Sequence, residues 1–72
     1  MHWNHRIVRV KDGTETILKF AEVFYNEDGS LMAHGDPFMH GDTIEELRQT
    51  AERLLKATSQ PVLDETDFPK ED

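Results

Sequence analysis

The side chains best suited to chemistry stand in one short segment, AHGDPFMHGD (33–42), in which His-Gly-Asp occurs twice at a spacing of six residues. Its imidazole and carboxylate groups, those of His34, Asp36, His40 and Asp42, are of types that bind metal ions. The spacing matches no established zinc or calcium loop, and the chain has no cysteine. We therefore predict no metal site and no cofactor, and a His/Asp metal-binding protein stays a minor alternative.

Each part of the repeated tripeptide also has a local structural explanation. Gly35 and Gly41 permit turns. Asp36 precedes a proline, which favours an extended backbone, and Asp42 is a suitable cap for a following helix. These readings predict two turns and a cap in this segment.

The sequence offers little support for catalysis. Ser30 and Ser59 are not set in a glycine elbow, and there is no cysteine thiol to act as a nucleophile. The adjacent carboxylates Glu45 and Glu46 lie where the first turn of a helix favours negative charge. We predict that the protein is not an enzyme and has no catalytic residues.

Three segments, the first two rich in β-branched and aromatic residues, are predicted to form strands in the first half of the chain, and they would position any site there. WNHRIVRV (3–10) and TILKFAEVFY (16–25) flank an Asp-Gly pair, which is a strong hairpin signal. A second Asp-Gly turn precedes the shorter run LMAH (31–34). Two consecutive hairpins predict a three-stranded antiparallel meander with the second run in the middle.

An amphipathic helix follows these strands. Thr43 and Glu46 have the spacing of a capping box, and Asp42 could cap the helix in place of Thr43. Pro61 is expected to end the helix. The apolar side chains recur at the spacing of one helical face: Ile44, Leu47, Ala51, Leu54 and Leu55.

The predicted fold class is α+β, a three-stranded antiparallel β-meander followed by one amphipathic helix packed on one face (β-β-β-α). The 72 residues suffice for one small domain, which we expect to span residues 1–63. Residues 64–72, DETDFPKED, form an acidic tail that we expect to be disordered.

The middle strand carries apolar residues on both of its faces, whereas one helix can cover only one face of the sheet. We assign Val8, Val10, Leu18, Phe20, Phe24 and Met32 to the helix side. The other face is then free, and its apolar residues form the predicted interface: Trp3, Ile7, Ala21, Val23, Tyr25 and Leu31. This face, or a strand edge, predicts an interaction module that forms a homodimer or binds another protein.

Charge and hydropathy narrow the class of partner. The formal net charge is −7, with 15 acidic against 8 basic residues, so binding of nucleic acid is not expected. No apolar run approaches the roughly 18 residues that span a bilayer, and the start MHWNHRIVRV lacks the apolar core of a signal peptide. We expect a cytoplasmic protein without membrane contact.

Two resemblances extend these expectations. The order of three strands followed by GDTIEELRQTAERLLKA (41–57) resembles the sheet-and-helix core of HicB-type antitoxins. That resemblance implies an acidic antitoxin-like or decoy protein that binds a basic protein. Its contact residues would be acidic side chains of the helix and tail: Glu45, Glu52, Asp64, Glu65 and Asp67.

The second resemblance covers nearly the whole chain. The start Trp3-Asn4-His5-Arg6, the segment EVFYNEDG (22–29) and the segment QPVLDE (60–65) resemble a family of small bacterial proteins without an assigned activity. It implies a compact bacterial domain and no particular mechanism.

Overall fold

The computed structural model describes residues 2–70, and within this range the chain forms four β-strands and one α-helix. The fold class is therefore α+β, as the sequence predicts. In chain order the elements are β1 (His2–Asp12), β2 (Glu15–Tyr25), β3 (Leu31–Gly35), α1 (Ile44–Ala57) and β4 (Leu63–Asp64), followed by a single 3-10 turn (Glu65–Asp67).

The sheet has the strand order β3-β2-β1-β4. The pairs β1/β2 and β2/β3 are antiparallel, whereas β4 pairs in parallel with β1, with Val8 opposite Leu63. The prediction of a three-stranded meander that precedes the helix is thus wrong: the sheet is mixed and its fourth strand follows the helix. The strand was missed because two residues are too few to show alternation, and because a parallel partner is reached only through a long crossover.

The hairpin between β1 and β2 sets which residues share a face. Asp12 pairs with Glu15 across a two-residue loop, in which Gly13 adopts a positive φ of 66° that other residues rarely reach. A two-residue loop pairs even-numbered residues of β1 with odd-numbered residues of β2. Val8 therefore shares a face with Ala21 and Val23, and not with Leu18 or Phe20 as the sequence analysis expected.

One face of the sheet carries the main hydrophobic cluster. Val8, Ala21 and Val23 are fully buried there, and Phe68 packs on them from the C-terminal part of the chain. Partly buried side chains surround the cluster: Val10, Tyr25, Leu31 and Leu63. We call residues 62–69 the C-terminal segment and the face that it covers the segment face.

The structure of the C-terminal segment differs from the expected disorder of residues 64–72. The Asp64 carboxylate accepts a hydrogen bond from the Thr66 N–H at 3.0 Å, and the Asp67 carboxylate accepts one from the Asp64 N–H at 2.9 Å. The acidic side chains thus cap a 3-10 turn, and burial of Phe68 anchors it. Composition indicated disorder because it does not register such local hydrogen bonds. The last two positions, Glu71 and Asp72, lie outside the described residues.

Helix α1 begins as predicted and packs against β1. The Thr43 hydroxyl accepts a hydrogen bond from the Glu46 N–H at 3.1 Å, while the Glu46 carboxylate accepts one from the Asp42 N–H at 2.8 Å. Thr43, and not Asp42, is therefore the cap. The helix ends at Ala57, before Pro61. Among residues 2–70, no helix has the length and apolar character needed to cross a bilayer.

The helix lies on the face of the sheet opposite the C-terminal segment. Arg53 and Ala57 of α1 line one cavity together with Trp3 and His5 of β1. In the β1/β2 register, Trp3 and His5 stand opposite Phe24 and Glu22, away from the Val8 cluster. We call this the helix face.

Candidate functional site

The six residues of the predicted interface do not lie on one surface. Trp3 and Ile7 belong to the helix face, whereas the other four belong to the segment face: Ala21, Val23, Tyr25 and Leu31. The reason is the two-residue hairpin loop, which pairs odd-numbered residues of β1 with even-numbered residues of β2. The β2 residues predicted for the interface therefore lie on the opposite face of the sheet from Trp3 and Ile7.

The four residues on the segment face are not available as a free surface. Ala21 and Val23 have no solvent exposure, and Leu31 packs beside them. The Tyr25 hydroxyl donates a hydrogen bond to the Asn4 side-chain oxygen at 2.8 Å. The C-terminal segment therefore occupies the place that the sequence analysis assigned to a partner.

A different set of apolar residues is exposed, and it lies on the helix face. Leu18 and Phe20 stand opposite Arg9 and Ile7 in the β1/β2 register. The Phe38 N–H donates a hydrogen bond to the Glu22 carboxylate at 3.1 Å, which places this loop over the same face. We call the following set, with side chains 38% to 74% exposed, the apolar face: Leu18, Phe20, Phe38, Ile44, Leu47 and Leu55.

The helix contributes to the apolar face because it is rotated about its axis. Its buried line runs through Thr50, Leu54 and Ala57, of which Thr50 is partly buried and the other two are buried. The apolar stripe that the sequence predicts as the core-facing side is centred elsewhere. Of its members, Ile44, Leu47, Ala51 and Leu55 are exposed and only Leu54 is buried. The side of the helix that usually packs into a core is therefore turned toward solvent.

The two His-Gly-Asp tripeptides separate in the structure. The Asp36 carboxylate pairs with the Lys19 ammonium at 2.7 Å, which lowers the pKa of Asp36. The ring of His34 contacts Phe68, and the ring of His40 contacts Phe38. Across residues 2–70, no three His, Asp or Glu side chains stand close enough to hold one metal ion.

The two glycines of the tripeptides have different surroundings. A Cβ atom at Gly41 would come within 2.9 Å of the Glu46 Cβ, in the capping box, so this glycine permits a close approach of the chain to the helix. A Cβ atom at Gly35 would meet nothing within 4 Å. The repeat in the sequence therefore does not correspond to a repeat in the structure.

Serine and aspartate side chains elsewhere are engaged in turns. The Ser30 hydroxyl donates a hydrogen bond to the Asp28 carboxylate at 2.6 Å, and the Ser59 hydroxyl donates one to the Lys56 carbonyl at 2.8 Å. Hydrogen bonds from Ser30 lower the pKa of Asp28. In the same way, hydrogen bonds from Thr66 lower the pKa of Asp64. These groups stabilise turns and a helix end and do not converge on a reaction centre.

A cavity of about 430 Å³ lies between the start of β1 and the end of α1. Its wall combines aromatic, amide and cationic groups: Trp3, Asn4, His5, Arg53, Lys56, Ala57 and Gln60. The rings of Trp3 and His5 meet edge to face, with centroids 5.4 Å apart and 74° between their planes. A volume of this size falls within the range of small-ligand sites.

His5 is the unusual residue of this wall. Its side chain is buried, with 7% exposure, and neither of its ring nitrogens has a hydrogen-bond partner. Burial lowers the pKa of His5, an effect that Glu22 opposes and Arg53 reinforces. A buried polar group without a partner costs about 1 to 3 kcal/mol of folding free energy. The protein retains this cost at a cavity whose wall carries two cations.

Comparison of the chain with protein-family profiles, curated proteins and solved structures gives no match in any of the three. The resemblances to HicB-type antitoxins and to a small bacterial family thus stay predictions.

Neither the apolar face nor the cavity emerged from sequence reasoning. The exposed members of the apolar face resemble core residues in type and spacing, so no sequence signal distinguishes them. The cavity joins residues about 50 positions apart, His5 and Arg53 among them, and only the packing of α1 on β1 brings them together. An indirect signal was available in His5, which stands between Trp3 and Ile7 on one face of β1.

Proposed function

We propose that the protein is a non-catalytic interaction module that forms a homodimer through its apolar face. The observation that carries the proposal is the rotation of α1, which turns the apolar stripe of an amphipathic helix to solvent. Leu18 and Phe20, on the face of the sheet that α1 covers, are exposed as well. Exposed apolar surface of this kind is typical of association sites. The binding face is thus on the opposite side of the sheet from most of the predicted interface.

The accessible area supports this proposal. The chain exposes 5627 Å², whereas a compact monomer of 8.4 kDa exposes about 4,600 Å². The radius of gyration is 13.1 Å, against about 11 Å for a compact domain of this length. The excess, about 1,000 Å², is similar to the roughly 800 Å² that each partner buries in a standard interface.

A second copy of the chain is the occupant that these observations favour. A two-fold interface places the same patch of both copies in contact, so each copy covers the apolar stripe of the other. The helix charges next to the stripe are of both signs, and Arg48 pairs with Glu45 at 2.7 Å within one chain. The charged residues next to the apolar stripe therefore do not require a partner of opposite charge.

The alternative, an acidic antitoxin-like or decoy protein that binds a basic protein, has less support from the geometry. The five acidic residues proposed for it lie on both sides of the sheet, with Glu45 and Glu52 on α1 and the others in the C-terminal segment. Asp64, Glu65 and Asp67 accept hydrogen bonds within the chain, the Glu65 carboxylate from the Lys11 N–H at 3.1 Å. They do not form a single acidic surface.

Native mass spectrometry of the protein as purified tests the proposal. We expect a species with the mass of two chains, against 8.4 kDa for one chain. A monomer at micromolar concentration, with the helix intact by circular dichroism, would contradict the homodimer. A complex with a different protein would contradict the choice of occupant.

A further inference from the structure

We propose that the cavity between β1 and α1 binds a small planar carboxylate. Arg53 and Lys56 hold the carboxylate group, and the flat apolar part lies against the Trp3 indole. The site is separate from the apolar face, because the two share no residue.

The buried histidine is the first observation behind this assignment. His5 is more than nine-tenths buried and forms part of the cavity wall, yet neither ring nitrogen has a partner. Glu22, which stands opposite His5 in the sheet, already accepts the hydrogen bond from the Phe38 N–H. Both ring nitrogens are closed to solvent, so the imidazole adds no polar contact to the cavity. It supports the Trp3 indole, which it meets edge to face.

The two cations are the second observation. Arg53 and Lys56 both line the cavity, and neither forms an ion pair within residues 2–70. This lack of ion pairs among residues 2–70 is unusual for a chain with 15 acidic residues and 8 basic ones. A guanidinium offers a carboxylate two parallel hydrogen bonds, and a nearby ammonium adds charge.

The aromatic wall selects the rest of the ligand. The Trp3 indole is 47% exposed and stands edge to face with the His5 ring, beside the methyl group of Ala57. A flat apolar group can cover the indole while its carboxylate reaches Arg53. Inorganic phosphate would engage the cations and leave this surface uncovered.

Binding of benzoate to the ¹⁵N-labelled full-length chain tests the site by NMR. Trp3 is the only tryptophan, so the single indole N–H signal reports on the cavity without assignment. At constant ionic strength, we expect saturable shifts with a dissociation constant of about 1 mM. Benzamide, which has the same shape and no charge, and inorganic phosphate should each bind about tenfold more weakly.

A pair of matched variants localises the effect. Arg53→Gln should weaken benzoate binding about tenfold, whereas Arg48→Gln, the same change on the same helix outside the cavity, should leave it unaltered. No saturable shift up to about 10 mM benzoate would overturn the site. Equal binding of benzamide or phosphate, or equal loss in the two variants, would overturn the assigned ligand chemistry.

Discussion

The ring centroids of Phe68 and His34 lie 4.6 Å apart, with 60° between the two ring planes. His34 belongs to β3, at one edge of the sheet, whereas the chain reaches Phe68 from β4 at the opposite edge. The C-terminal segment therefore crosses the whole segment face. Phe68 closes the main hydrophobic cluster, which connects the end of the chain to the stability of the sheet.

Replacement of Phe68 by alanine should destabilise the protein strongly. The ring is 8% exposed and packs on Val8, Ala21 and Val23, so its loss leaves a cavity in the main cluster. We expect the free energy of unfolding to fall by about 3 kcal/mol, a large fraction of the total for a domain of this size. Urea denaturation followed by circular dichroism measures the change.

The neighbouring Pro69→Ala variant is the control, because Pro69 is exposed. It should change the free energy of unfolding by less than about 0.5 kcal/mol. Equal stability of Phe68→Ala and the wild type would mean that the C-terminal segment does not cover the sheet in solution.

The helix cap gives a second prediction. Thr43→Ala removes the hydroxyl that accepts the Glu46 N–H, and we expect a loss of about 1 kcal/mol in the free energy of unfolding. Asp42→Ala should have a smaller effect, because the backbone N–H of residue 42 and not its carboxylate contacts Glu46. The reverse order of the two losses in thermal denaturation would assign the cap to Asp42.

The buried His5 predicts a dependence of stability on pH. Burial lowers its pKa in the folded protein below the ordinary histidine value of about 6.5, so just below pH 6.5 the unfolded chain binds more protons than the folded one. The free energy of unfolding should therefore decrease as the pH falls from 6.5 toward the folded pKa of His5. Urea denaturation at several pH values between about 5 and 7 measures this slope.

The His5→Gln variant should lose that part of the slope, since glutamine does not titrate. His40→Gln, which replaces a histidine outside the cavity, provides the matched control and should keep the slope. A wild-type stability that stays constant over this range, or one that rises on acidification, would be incompatible with a buried neutral His5.

Local signals in the sequence predicted the local structure. The Asp12-Gly13 pair placed the first hairpin, Thr43 and Glu46 placed the start of the helix, and the three predicted strand segments together with the helical periodicity were sufficient for the α+β class. These features depend on residues close together in the chain, for which turn and capping preferences are specific. The three antiparallel strands of the first half follow from them.

The assignment of faces failed for a reason that the sequence contained. A loop of two residues between Asp12 and Glu15 requires odd-to-even pairing, so Val8 could have been placed beside Ala21. The positions of Phe68 and the helix rotation could not be predicted in this way. Both depend on long-range packing, and Leu54 and Leu55 have the same type although only the first is buried.

The homodimer through the apolar face is tested most directly by sedimentation equilibrium of the wild type and the variant Ile44→Asp/Leu55→Lys. This variant keeps the net charge, and each new charge suits its end of the helix dipole, so α1 should remain folded. The control Ile17→Lys/Val62→Asp makes the same exchange at two exposed apolar residues outside the apolar face.

We expect a dimer for the wild type and for the control. For Ile44→Asp/Leu55→Lys we expect a dissociation constant raised at least about 100-fold, because each apolar side chain contributes about 1.5 to 3 kcal/mol and appears twice in a two-fold interface. Equal association of the wild type and this variant, or a monomeric wild type, would contradict a homodimer through the apolar face.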